Sequence, residues 1–285
     1  MAARIVISAR IIFPVLLFMG ASYVLAQDKE KSPPPIQDNS FLLEEAYNQE
    51  AGVVQHINTF SRSWTTRQWI YTFTEEWPVP GHARNQLSYT FAALTADPGI
   101  CQGAGAGDVA FNYRYQVLGG GESKLSFAPR ISALIPSGDY RRGHGYGGTG
   151  IQINLPVSLV LGRQLVTHLN AGTTLVPSAR NALGDKAFTN AYNAGQSLVW
   201  LARPNFNLLF ETTWMGFENV IGRGSTQRSH DLLLAPGARW AINLARGLQI
   251  VPGISVPVGV GPGAGEKSLF LYLSFEHPLW KEKSR

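Results

Sequence analysis

The sequence predicts an all-β protein. The form expected is a transmembrane, antiparallel, up-and-down β-barrel of about twelve strands, preceded by a short helical or extended N-terminal segment. Three observations carry that prediction. Beyond residue 52, apolar and polar residues alternate with a period of two, and no sustained apolar stripe of helical period occurs. The connections between alternating segments are by turns tight and long, as in membrane barrels with turns at one end and loops at the other. All seven Trp sit at or near segment ends, where an amphipathic indole settles at a membrane interface. A mean hydropathy of −0.03 is too low for a bundle of membrane helices. A chain with 45% hydrophobic and 11% aromatic residues is too apolar for disorder.

The first element is an export signal at 1–26. Arg4 and Arg10 mark a basic leader, Ile11 to Leu25 is largely apolar, and Val24-Leu25-Ala26 ends on a small residue before polar Gln27-Asp28-Lys29. That three-part pattern reads as a cleaved secretory peptide, with an uncleaved anchor as the rival. No Cys follows the cleavage point, so lipid attachment there is not expected. Residues 27–52 form a linker and short helix. Pro33-Pro34-Pro35 is stiff, and Asn39 or Ser40 is placed to cap a helix through Phe41-Leu42-Leu43-Glu44-Glu45-Ala46-Tyr47. So short a helix must pack on something. A periplasmic collar and a plug in the barrel mouth are the two options.

The barrel is expected over 53–280. Its strands are read near 53–64, 67–77, 84–94, 107–118, 123–135, 149–161, 164–176, 189–201, 204–216, 230–242, 247–258 and 267–277. The clearest are Asp108 to Val117, whose odd positions are apolar or aromatic, and Ile151, Ile153, Leu155, Val157, Leu159 and Leu161, opposite Gln152, Asn154 and Ser158. Long connections are expected at 95–106, 136–148, 177–188, 217–229 and 259–266, and an even strand count returns both ends to the periplasm. The last five residues, Lys281 to Arg285, form a polar tail.

Charge facing lipid is costly, so the polar face points inward. The residues expected along a lumen path are Arg114, Arg130, Arg239, Glu211, Asp231, Asn112, Asn154, Asn170, Asn207 and Glu76. One reading of them is a network of ion pairs across the lumen; another is an aqueous path with arginines facing acids across a constriction. The two are compatible.

Other chemistry finds little support. The single Cys101 excludes intramolecular disulfides and multi-cysteine metal sites. Removing Arg4 and Arg10 lowers the net charge from +5 to +3, and the remaining basic residues form no block longer than two, so no nucleic-acid partner is expected. Gly143-His144-Gly145-Tyr146-Gly147-Gly148 matches G-x-G-x-x-G, but an alternating strand follows it rather than a helix, so it reads as a loop. No nucleophile elbow, zinc-protease motif or Ca²⁺ loop occurs, so no catalytic residue, cofactor or metal ligand is assigned. A Ser–His pair brought together across strands remains open, because barrel neighbours are distant in sequence.

Three stretches carry a family resemblance: Ser40-Phe41-Leu42-Leu43-Glu44-Glu45-Ala46-Tyr47-Asn48-Gln49-Glu50 before the first strand, Gly107-Asp108-Val109 opening a strand, and Ala128-Pro129-Arg130-Ile131 running into Pro136-Ser137-Gly138-Asp139. With these, nearly the whole mature chain resembles the outer-membrane barrels grouped with the meta-pathway of phenol degradation and described as transporters. The resemblance implies aromatic compounds as solutes, although no residue demonstrates such a preference. It also implies a C-terminal aromatic residue for the assembly machinery, whereas Trp280 is followed by five polar residues, leaving Phe275 or Trp280 to serve internally.

The function expected is passive passage of small molecules, aromatic or hydrophobic ones included, through the outer membrane of a Gram-negative bacterium, without enzymatic chemistry. The partners expected are outer-membrane lipid, the solute and the assembly machinery. The alternatives are an outer-membrane lipid or ester hydrolase and a closed structural or adhesive barrel.

Overall fold

A computed structural model describes residues 40–95, 103–121 and 123–279. The expected export signal, the proline-rich stretch, Cys101, Trp280 and the last five residues lie outside the described residues. The described chain makes twelve antiparallel strands in a closed ring. They are β1 (Val53–Ser63), β2 (Trp69–Val79), β3 (His82–Thr95), β4 (Ala104–Ala106 and Val109–Tyr115), β5 (Leu125–Phe127 and Arg130–Ile135) and β6 (Gly150–Asn154 and Val157–Val160). There follow β7 (Leu165–Arg180), β8 (Lys186–Arg203), β9 (Phe206–Gly222), β10 (Ser225–Trp240, continued by Ile242–Asn243), β11 (Gln249–Ser255 and Val258–Gly259) and β12 (Ser268–Pro278). Each strand pairs with its sequence neighbours, and β1 pairs with β12 from Val53↔Pro278 to Ser63↔Ser268, which closes the ring. No edge is left to seek another chain.

Alternation decides what each face meets. In β4, Asn112 and Arg114 are each 4% exposed, whereas Phe111 is 56% and Tyr113 40% exposed. Along β5 and β6 the same inversion holds, with Ser132 and Asn154 buried and Ile131 and Ile151 out. A water-soluble protein does the reverse. Exposed Leu, Ile, Phe and Tyr recur on the outer face of most strands, although not of β1, and make a surface suited to hydrocarbon.

Prolines explain the breaks in three strands. Pro129, Pro156 and Pro257 have no N–H to give to the ladder, and β5, β6 and β11 are interrupted at those positions. Four strands are longer than a bilayer requires. β7, β8, β9 and β10 run for 16, 18, 17 and 16 residues, against roughly 9–11 for a tilted span. The long loops expected at 177–188 and 217–229 are therefore mostly strand. Their residues show no sustained alternation of apolar and polar side chains, yet the ladder continues through Glu218↔Arg228 to Val220↔Thr226. Tight turns close them. In one, Asn181 Oδ1 accepts from the N–H groups of Leu183 and Asp185; in the other, Gly224 takes φ +68°.

Of the expected interface tryptophans, Trp69 opens β2, Trp240 ends β10 and Trp64 follows β1. Trp214 lies halfway along β9, because the upper half of that strand stands clear of the membrane belt. Among the described residues no α-helix occurs: the helix expected through Phe41 to Tyr47 does not form, and 40–50 is an irregular segment with bends at 41–43 and 46, its N–H groups taken up by the barrel wall.

Candidate functional site: the barrel lumen

The segment Ser40–Gln49 lies inside the ring, since side chains from strands on opposite sides of the barrel bond to it. Ser40 Oγ donates to Ser197 Oγ of β8 at 3.2 Å. The N–H groups of Phe41 and Leu42 donate to the two carboxylate oxygens of Glu211 on β9, at 3.1 and 2.9 Å. Glu44 N–H donates to Asn170 Oδ1 of β7 and Ala46 N–H to Ser158 Oγ of β6. Asn48 N–H reaches Gln116 Oε1 just past β4, and Gln49 N–H reaches Gln86 Oε1 of β3 at 2.7 Å. An irregular segment has no ladder to join, so its buried N–H groups need side-chain acceptors. Gln86 of β3, Gln116 just past β4, Ser158 of β6, Asn170 of β7 and Glu211 of β9 supply them.

The segment's apolar residues have prepared seats. The Phe41 ring packs on Phe270 and Tyr272, each at 5.6 Å between centroids. A Cβ on Gly237 or Gly253 would lie 2.7 or 2.5 Å from that ring, and one on Gly195 would lie 2.7 Å from Leu43. β8, β10 and β11 thus each carry an inward glycine where the segment presses closest.

Charge is settled between segment and wall. Glu44 Oε2 meets Arg114 Nη2 at 3.3 Å and its Oε1 meets Arg130 Nη2 at 2.5 Å. Glu45 lies 3.8 Å from Arg114, whose Nη1 also donates to the Tyr47 carbonyl at 2.9 Å. Arg130 is oriented from the wall side by Asn112 Oδ1 and Gln152 Oε1. The ion pairs expected between barrel strands are therefore made largely by a segment that strand patterning does not address.

Two cavities flank the segment. The larger, of about 530 Å³, is lined by Leu42, Leu43 and Glu44 of the segment and by inward residues of β5 to β10, including Arg130, Asn154, Asn170, Val176, Met215, Phe217 and Leu233. The smaller, of about 180 Å³, lies on the side of β1 to β5 between Glu44, Glu45, Thr59, Thr74, Glu76, Thr90, Asn112, Arg114 and Arg130.

Most of the residues expected in the lumen are there. Asn112, Arg114, Asn154, Asn170, Asn207, Glu211, Arg239 and Glu76 are buried on the inward face, and Arg130 beside them. Asp231 is not brought to the arginines. It stands eight residues from Arg239 on the same strand, roughly 26 Å away at a strand's rise, against the turn at Gly263. Arg239 itself is wholly buried beneath Phe41's seat on Gly253. Patterning missed Glu44, Glu45 and the glycine seats. The available signal was three Gly at inward positions of β8, β10 and β11, each replacing the side chain expected there.

One Ser–His contact does form across strands. Ser158 Oγ and His168 Nδ1 are 2.7 Å apart, both fully buried. The segment covers them: Ser158 Oγ accepts from Ala46 N–H, and the Tyr47 ring stands edge-on to His168 at 5.8 Å.

At the other end of the barrel the 136–149 loop is stapled to β4. Asp108 accepts from Gly138 N–H at 2.9 Å and from Tyr146 N–H at 2.7 Å, while Ser137 Oγ donates to the Gly107 carbonyl. Two of the stretches that carried the family resemblance are thus halves of one contact. The G-x-G-x-x-G match belongs to this loop, where Gly145 leaves room for the Asp108 carboxylate and Gly147 for the Tyr140 ring. Tyr140 lies beneath the Arg141 and Arg180 guanidinium groups. The hydrogen bond from Arg180 is the main reason its hydroxyl is held below the ordinary tyrosine range.

No family model and no curated protein sequence matches the chain. Solved structures do. The chain is similar to an outer membrane channel from Pseudomonas putida F1, with 14% identity over 81% of this chain and 97% of that one, at a TM-score of 0.63. It is also similar to the NanC porin, with 11% identity over 77% of this chain and 98% of that one, at a TM-score of 0.53. The fold is that of an outer-membrane barrel. At such identities the likeness concerns architecture, and the resemblance to the phenol-pathway barrels has no matching family model behind it.

Proposed function

We propose that this barrel is a passive outer-membrane channel for small molecules with aromatic or hydrophobic bodies, closed by its own segment Ser40–Gln49. The observation that carries the reading is the larger cavity. It is about 530 Å³, within the range that takes a small ligand, and its apolar side is formed by Val176, Ala191, Met215, Phe217 and Leu233. Its boundary on the segment side is Leu42, Leu43 and Glu44, which hydrogen bonds and ion pairs hold in place. No ladder has to break for them to leave. Planar-bilayer recording tests this: a variant lacking residues 40–49 conducts several-fold more than the parent chain. Equal and negligible conductance in both would mean a closed structural barrel.

An ester hydrolase is the second reading, favoured by the Ser158–His168 contact. Under the channel reading, Ser158→Ala leaves the hydrolysis of p-nitrophenyl esters by purified protein at the background rate of the parent. A parent activity that this substitution abolishes would replace the channel with the enzyme.

A further inference from the structure

Both cavities are lined by Glu44 and Arg130, so this ion pair is part of the partition between them. Its geometry is that of carboxylate recognition. The two oxygens of Glu44 are divided between two guanidinium groups, Oε1 to Arg130 and Oε2 to Arg114. Forked donors converging on one carboxylate give the strongest and most directional of such contacts. The wall presents Arg130 independently of the segment, through Asn112 and Gln152. Arg114 is only 4% exposed. Burial of that kind requires an anion. Among the described residues the wall carboxylate sharing the smaller cavity with both arginines is Glu76, which already accepts from Gln86 at 2.8 Å. Two cations thus stand against one wall anion; Glu44, bonded to both arginines, supplies the missing charge, and Glu45 adds a further carboxylate 3.8 Å from Arg114.

We propose that Arg114 and Arg130 form a carboxylate-binding site on the solute path, and that Glu44 and Glu45 occupy it as a built-in competitor. The solute class that fits joins one carboxylate to an apolar body. The carboxylate takes the place of Glu44 on the two arginines, and the body lies along Val176, Met215 and Phe217 in the larger cavity. Loading the site removes the charge pairing that holds the middle of the segment, so arrival of the solute itself favours opening. This rests on the channel reading for its route, but the site is measured without conduction.

The test is equilibrium dialysis of radiolabelled benzoate against the full mature chain in detergent, with benzamide as the uncharged counterpart. E44Q/E45Q removes the competitor and binds benzoate about tenfold more tightly than the parent, or better. R114Q/R130Q binds none. Heat-modified migration on gels verifies that each barrel is closed. R130K keeps the charge, loses the fork and weakens benzoate several-fold, which a merely structural arginine would not do. Unchanged affinity in E44Q/E45Q, or benzamide binding as well as benzoate, overturns the site. Benzoate binding in the expected order, together with no conductance when residues 40–49 are removed, keeps the site and refutes the channel. Conductance without any benzoate binding does the reverse.

Discussion

Glu211 accepts from the consecutive backbone N–H groups of Phe41 and Leu42, 170 and 169 positions away, which makes it the firmest single hold on the segment. Hydrogen bonds to a charged acceptor contribute roughly 1.5–3 kcal/mol each. Glu211→Ala should therefore raise the open fraction in planar bilayers by tenfold or more and leave barrel closure on gels intact. Gly253→Ala acts on the same hold by shape. Its Cβ would overlap the Phe41 ring, an overpacking of roughly 1–3 kcal/mol that the segment relieves by leaving. Gly224→Ala, at a turn with nothing within 4 Å, should not open the channel. At this scale the sequence was half legible. Arg114, Arg130 and Glu211 follow from alternation, because a strand residue's face depends on its own parity. Glu44 does not, since its partner depends on a path through the lumen that no periodicity describes.

Strand facing and loop attachment belong to the element. Phe111→Arg puts a guanidinium on the lipid face of β4 and should cost about 2–4 kcal/mol in a urea titration in vesicles, with Phe111→Leu close to the parent. Equal stability of the two would mean that β4 is turned the other way. Asp108 fastens the 136–149 loop through two N–H groups. Asp108→Ala leaves both without their acceptor and should open the loop to protease added outside cells, while Asp108→Asn, which keeps an acceptor oxygen, is slower to be cut. The strands themselves were legible wherever one face met hydrocarbon. Above that level β8 and β9 lose the apolar signature and keep the hydrogen bonds, so Glu218 to Val220 resembled loop while forming ladder. Proline breaks at 129 and 156 were visible in sequence but did not alter the period on either side.

For the whole molecule, the decisive quantity is how charge is distributed once the lumen is open. With residues 40–49 removed, Arg114 and Arg130 lose Glu44 and Glu45, whereas Arg239 lines neither cavity and pairs in register with Asn207 of β9. In that truncated chain, R114Q/R130Q should shift the reversal potential towards cations under a salt gradient, most clearly at low salt. R239Q should leave it unchanged. A shift from R239Q alone would place the conducting path on the other side of the barrel. The segment's bonds also impose an order in time. Ser197, Glu211, Asn170 and Gln86 face a common interior only after β1 has met β12, and contacts of such long sequence separation form late. Residues 40–49 precede every described strand, yet by this argument they are expected to seat after the strands have paired. If this barrel is the channel proposed above, a newly inserted copy conducts in the interval between closing its wall and seating its segment, and the cell's permeability to small solutes then tracks the rate of synthesis as well as the number of finished barrels.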